Sequence, residues 1–186
     1  VANVLVGCEV SGVVRDAFIA AGHDAISCDI LPSDRPGPHF QGNVLNLLSN
    51  HNWDIMICFP PCTHLCSSGA RWFKDKKAEQ REALSFVSQL LNAPIKRICL
   101  ENPVGIISSK IRKPSQYVHP WWFGHGYTKK PGLWLKGLPD LTATNVVAGR
   151  SDKIHKAPET KARAKIRSET PRGLAEAMAS QWGPLL

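Results

Sequence analysis

Val4-Leu-Val-Gly-Cys-Glu-Val-Ser-Gly-Val-Val-Arg-Asp-Ala-Phe-Ile-Ala-Ala-Gly-His-Asp-Ala-Ile-Ser-Cys-Asp29 decides the fold. Val4 to Gly7 is a short apolar strand, and Ser11 to Ala21 follows with helical spacing until Gly22 stops it. His23 to Asp29 then reads as a second strand that ends in an acid. Strand, tight turn, helix and strand in this order open a doubly wound α/β domain with a mostly parallel sheet of Rossmann-like type.

The rest of the chain continues that pattern. Leu31 to His39 is Pro-rich and irregular. Trp53 to Phe59 is almost wholly apolar, as a strand covered by helices on both faces should be. Lys77 to Leu91 has helical spacing, and Pro94 to Leu100 is the next apolar strand. Tyr127 to Lys136 and Thr142 to Ala148 are expected as later, antiparallel strands at the far side. Thr170-Pro171 supplies an N-cap and first helical position for a last helix that runs to Trp182. With 186 residues, one domain spanning 1–186 is expected, its basic C-terminal segment 150–186 packing back on it.

Composition narrows the function. No run of about eighteen apolar residues occurs and the start lacks a basic, then apolar leader, so a cytoplasmic protein without membrane association is expected. The six cysteines sit in or beside apolar strands rather than in a loop framework, which fits free thiols. The net charge of +8, with basic residues thickening in Lys153-Ile-His-Lys156 and Lys161-Ala-Arg-Ala-Lys-Ile-Arg167, favours nucleic acid as partner; a solvated basic face is the plainer reading.

Four places carry chemistry. Gly7-Cys-Glu-Val-Ser-Gly12 lies between the first strand and helix, where backbone can approach a ligand and helix N–H groups can point at it. Asp29 ends the second strand, where an acid accepts ribose hydroxyls; Asn43 can offer its amide to an adenine edge or simply occupy an exposed turn. Cys62 follows Pro60-Pro61, so a stiff turn should thrust out its thiol, with His64, Arg71 and Lys74 the nearest cations in sequence. Glu101 ends the next apolar strand before Asn102-Pro103, which puts a partly desolvated carboxyl at the same crevice; capping the following helix is its alternative role. Cys58, Cys62 and Cys66 also recur at every fourth position, but both gaps are three residues long and no second pair follows, so a metal site is not expected.

Taken together, the opening strand–turn–helix, Phe59-Pro-Pro-Cys62 and Leu100-Glu-Asn-Pro103, and more weakly Arg167 to Trp182, resemble the DNA cytosine-5 methyltransferase family. The resemblance implies S-adenosylmethionine as cofactor and DNA as substrate. It implies that Cys62 adds to C6 of a flipped cytosine while Glu101 holds N3 and the exocyclic amine, so that C5 can attack the methyl group. It further implies that Gly7, Glu9, Ser11, Gly12, Asp29, Asn43 and Pro60 line the cofactor, and that Pro61, Asn102 and Pro103 shape the substrate side.

The chain departs from the family pattern in four places. The first motif lacks the usual Phe-x-Gly-x-Gly, Thr63 replaces the glutamine after Pro-Cys, and no Gln-x-Arg-x-Arg segment occurs. Lys129, Lys130 or Arg71 are the cations that can stand in for the missing arginine. Fewer than fifty residues separate Trp122 from Arg167, too few for a sizeable recognition domain, so a protein partner supplying sequence recognition, or a single-stranded, RNA or nucleotide substrate, enters consideration. Compact versions of this kind resemble ones carried by phages. His119-Pro-Trp-Trp-Phe-Gly-His-Gly-Tyr127 with Thr128-Lys-Lys130 can stack a base and hold a phosphate, His125 and Tyr127 being the expected solvent-facing members; plugging the sheet edge is the alternative. A catalytically silent nucleic-acid-binding protein on the same fold is the rival from another class.

Overall fold

In the computed structural model, which describes residues 1–49, 52–67, 76–151 and 169–186, apolar segments pair into one sheet. Its strands are β1 (Asn3–Gly7), β2 (Asp24–Asp29), β3 (His39–Gln41), β4 (Ile55–Cys58), β5 (Arg97–Asn102), β6 (Gln116–Tyr117) and β7 (Gly132–Lys136). Their order is β3-β2-β1-β4-β5-β7-β6. The first five run parallel, and β7 is antiparallel to both β5 and β6. The order changes direction at β1 and β4, so a crevice opens beyond the carboxyl ends of those strands. Helices α1 (Val13–Ala20), α2 (Lys77–Leu91), α3 (Ile107–Lys110) and α4 (Arg172–Trp182) complete the doubly wound α/β fold.

The alternation of strand side chains explains why both faces are covered. Val4, Val6, Ile55, Ile57 and Cys99 pack on one face against Val14 and Phe18 of α1 and Leu174, Met178 and Trp182 of α4. Leu5, Met56, Cys58, Ile98 and Leu100 pack on the other against Val87 and Leu90 of α2 and against Trp134. With a period of two, Glu101 shares the face of Cys99, and Asn102 that of Leu100.

Several sequence expectations shift. The strand placed at Pro94–Leu100 starts at Arg97 and continues through Asn102, so Glu101 is held inside the sheet's ladder opposite Leu133. Thr142–Ala148 forms no strand of the sheet. Its backbone instead donates from Thr144 and Asn145 to the Trp122 carbonyl and from Val147 to that of Trp121, because β6 already occupies the outer side of β7. The last helix begins one residue later than expected, with Pro171 as N-cap. No helix among the described residues is long and apolar enough to cross a membrane, and all six cysteines are free.

Candidate active site

At the end of β1 the chain turns sharply: Cys8 adopts a left-handed φ of 57°, rare for a residue with a side chain. Glu9 is then 4 % exposed. Its Oε1 accepts from Val14 N–H at 2.7 Å and its Oε2 from Arg15 N–H at 3.3 Å, while Ser11 Oγ donates to Oε1 at 3.3 Å. Burial raises the Glu9 carboxyl above its ordinary value, and these hydrogen bonds offset that only in part. Two expectations change accordingly. Glu9 and Ser11 serve the first turn of α1, and the helix N–H groups are already taken by protein.

Asp29, at the end of β2, accepts at Oδ1 from Leu31 N–H at 2.9 Å. Cys8 faces it: the Cys8 thiol is pushed up to about 12, by burial first and then by Asp29 and Cys28. Ile30 and Leu31, 73 % and 56 % exposed, follow Asp29. Sequence reading missed this pair, although two apolar residues directly after a strand-end acid were a usable signal. Asn43 is exposed, and its Oδ1 caps a short 3₁₀ turn by accepting from Leu45 N–H at 3.0 Å, so only the amide N–H side remains for a ligand.

The loops after β4 and β5 are laced together. Pro60 is buried and its carbonyl accepts from Asn102 Nδ2 at 2.8 Å. Ile106 N–H donates to the Leu65 carbonyl at 2.8 Å and Ser67 N–H to that of Val104 at 3.0 Å. The Cys62 carbonyl closes a turn by accepting from Leu65 and Cys66 N–H groups at 3.0 and 2.9 Å. Gly105 permits the contact, since a Cβ there would lie 2.0 Å from the Leu65 oxygen. Gly105→Ala is therefore expected to force the loops apart and cost about 1–3 kcal/mol, read as a lower urea midpoint at unchanged m-value.

This lacing brings Cys62 and Glu101 to one place. Cys62 is half-buried, with Pro61 exposed beside it. The Cys62 thiol is pushed up to about 11 by burial, by the adjacent Cys66 thiol and its hydrogen bond, and by Glu101. Glu101, with a side chain 13 % exposed, has Lys129 Nζ at 4.0 Å from Oε1. Burial raises the Glu101 carboxyl and Lys129 lowers it. A carboxyl in this state can hold or release a proton, next to a thiol that stays protonated until something draws the proton away.

The other expected site residues separate. Lys130 lies over the Tyr117 ring at 4.7 Å, and Arg150 over Trp121 at 3.9 Å, with His119 stacked on Trp121 at 5.3 Å. His119 also bonds the Lys129 carbonyl through Nδ1 at 3.2 Å, which joins this ring cluster to the Glu101 side. His125 and Tyr127 are only partly exposed and are engaged within the fold. His125 Nε2 accepts from Gly173 N–H at 3.0 Å and caps α4, and partial burial, with Glu169 nearby, pushes Tyr127 up to about 12. Pro103 is partly buried in the turn after Asn102. Arg71 and Lys74, and the basic run from Lys153 to Arg167, lie outside the described residues.

No family model and no curated protein matches the chain. Solved structures do. A protein assigned as a DNA modification methyltransferase, encoded within an E. coli prophage, is 15 % identical with a TM-score of 0.51, covering 86 % of this chain and 56 % of that one. The Entamoeba histolytica methyltransferase EhMeth is 12 % identical with a TM-score of 0.54, covering 86 % and 60 %. A variant of Spodoptera frugiperda DNMT2 is 13 % identical with a TM-score of 0.50, covering 81 % and 55 %. The chain thus spans little more than half the length of these proteins. What they share with it is the architecture, and the chain is built on the Rossmann-like methyltransferase fold of DNA-modification and DNMT2 enzymes, the class that its two loop motifs resemble.

Proposed function

We propose that the protein transfers a methyl group from S-adenosylmethionine to C5 of cytosine in DNA through a covalent adduct on Cys62. The observation that carries this reading is the 2.8 Å bond from Asn102 Nδ2 to the Pro60 carbonyl, which couples the cysteine loop to the strand that holds Glu101. Neither folding nor phosphate binding requires a thiol and a buried carboxyl to be tied together in this way.

The residues at the ends of β1 and β2 fit the cofactor. Glu9 fills the N-terminus of α1 with a carboxylate, where a dinucleotide's phosphates would otherwise bind. S-adenosylmethionine carries no phosphate. Asp29 can take its ribose hydroxyls, and the exposed Ile30 and Leu31 its adenine. The bound cofactor supplies an electrophilic methyl on sulfur.

Each protein group then has one task. Cys62 gives up its thiol proton to a base or to solvent and its Sγ forms a bond to C6 as Glu101 puts its proton on N3, which moves electron density onto C5. After methylation a base takes the C5 proton, the Sγ–C6 bond breaks so that Cys62 leaves as thiolate and the ring is aromatic again, and N3 returns its proton to Glu101. Lys129, beside Glu101, offers a cation to the cytosine O2 in place of the absent arginine motif. Trp121 with Arg150, and Tyr117 with Lys130, provide stacking rings and phosphate-binding charges for neighbouring nucleotides. The net charge of +8 suits a polyanion.

The test is transfer of labelled methyl to duplex DNA, single-stranded DNA, RNA and dCMP, followed by nucleoside mass spectrometry. Formation of 5-methylcytosine is expected on DNA, and the ranking of the four substrates separates a duplex enzyme from one that acts on a single strand or on RNA. Cofactor binding without transfer to any of them would point to the silent or partner-dependent alternative.

A further inference from the structure

Arg15 is fully buried, although it carries a charge. Burial of a guanidinium is costly unless all of its N–H groups find acceptors, and here they do. Nε and Nη2 meet Asp16 Oδ1 at 2.9 and 2.8 Å. Nη1 donates to Ser27 Oγ at 3.1 Å and Ser33 Oγ at 3.3 Å, with the Pro38 carbonyl at 3.5 Å. Nη2 also donates to the Pro36 carbonyl at 3.0 Å. One side chain on α1 therefore holds strand β2 and both ends of the loop 33–38 that follows it.

The packing around it is equally specific. A Cβ at Gly12 would lie 2.5 Å from Arg15 Nη2, and one at Gly37 2.7 Å from Cζ, and both glycines have positive φ, +69° and +140°. The loop is fastened a second time to the turn after β1: Asp34 N–H donates to the Val10 carbonyl at 2.8 Å, and Ser33 Oγ to the same oxygen at 3.3 Å. The turn 8–12 and the loop 30–38 thus form one wall, and Asp29, Ile30 and Leu31 project from it.

We propose that Arg15 is the positioning residue of the cofactor crevice, which fixes the β2–β3 loop against the β1–α1 turn so that Asp29 and Ile30 are already placed before the cofactor arrives. Arg15 touches neither cofactor nor substrate; it acts through the two backbone segments it joins. This inference rests on the S-adenosylmethionine reading above. Preorganisation of this kind is expressed in affinity, because a loosened loop must be ordered again at each binding event.

The experiment is calorimetric titration of S-adenosylhomocysteine and S-adenosylmethionine into the wild type, Arg15→Lys and Ser33→Ala, alongside steady-state kinetics and hydrogen exchange of segment 27–38. Ser33→Ala keeps the buried arginine and removes only contacts at the loop, so it remains informative if the arginine variant folds poorly. Arg15→Lys is expected to weaken cofactor binding by about tenfold or more, and Ser33→Ala by a smaller factor, with faster exchange confined to 27–38. The KM for cofactor should rise in step, while kcat at saturating cofactor stays within about twofold of wild type. Faster exchange with unchanged cofactor affinity in both variants would overturn the inference and leave the cofactor reading standing. A wild type that binds neither compound would overturn both.

Discussion

Cys62→Ala is expected to abolish methyl transfer, and Glu101→Gln to reduce it by about a thousandfold, both with cofactor affinity unchanged. The reason lies in how the two groups are matched. The Cys62 thiol, pushed up to about 11 from an ordinary 9.0, holds its proton at neutral pH, and its thiolate fraction is roughly a hundredfold below that of an ordinary cysteine. Attack on C6 is productive only when N3 is protonated in the same step, which calls for a carboxyl that still carries a proton. Burial raises Glu101 in that direction. Glutamine keeps the shape and can still bond the ring, but it cannot deliver the proton. The same substitution has an opposite effect on stability. A folded-state value above the ordinary 4.5 means that the native state binds more protons than the unfolded chain, so stability falls as pH rises from about 4.5 through the native value. Glu101→Gln removes that loss, and the variant should melt at a higher temperature than wild type at pH 7 to 8, the gain being limited by the loss of the Glu101 carboxylate beside Lys129. Parallel measurement of transfer rate and melting temperature across pH 5 to 9 checks both halves. A variant with near-wild-type transfer would remove Glu101 from the chemistry, and one with a lower melting temperature across the range would show that the ion pair outweighs the burial cost.

How far the sequence could be read depended on whether the governing contacts were local. The strand–turn–helix from Val4 to Ala20, the helix over Lys77–Leu91, and the placing of Cys62 just after one strand and Glu101 late in its neighbour all follow from periodicity and from Pro and Gly as punctuation, which act within a few residues. The capping role of Glu9 was not legible, because an acid just ahead of a helix has the same pattern whether it caps the helix or faces a ligand; its 4 % exposure and its bonds to Val14 and Arg15 show the cap. The strand expected at Thr142–Ala148 failed because a free sheet edge is a tertiary property, and the two-residue β6 that fills it is too short to leave a pattern. His125 was assigned to solvent for a similar reason, since its partner, Gly173, lies 48 positions away. Arg15 gave no sign of its role. Its acceptors are spread from Asp16 to Pro38, and a lone arginine on a short helix usually lies on the exposed face.

Asn102 separates positioning from stability, and Asn102→Leu is expected to lower kcat by about a hundredfold while changing the unfolding free energy by only about 1 kcal/mol. Asn102 is 1 % exposed, and its two amide ends contribute with opposite sign. Nδ2 bonds the Pro60 carbonyl at 2.8 Å, and the loss of that bond leaves a buried acceptor unsatisfied, at a cost of about 1–3 kcal/mol. Among the described residues Oδ1 is buried without a hydrogen-bond partner, so leucine also relieves a standing penalty of similar size. The two nearly offset in stability. They do not offset in the site, where the Pro60 carbonyl no longer ties the cysteine loop to β5, and a nucleophile displaced by about 1 Å is enough for a hundredfold loss. Asn102→Asp should be the more damaging change, since it sets a carboxylate against a carbonyl and adds a second buried charge beside Glu101. The decisive comparison is kcat against urea stability for Asn102→Leu and Gly105→Ala. Both loosen the same pair of loops, but only the glycine variant should lose stability in proportion to activity. If Asn102→Leu loses the two in proportion as well, the Pro60 bond serves the fold alone and not the placement of Cys62.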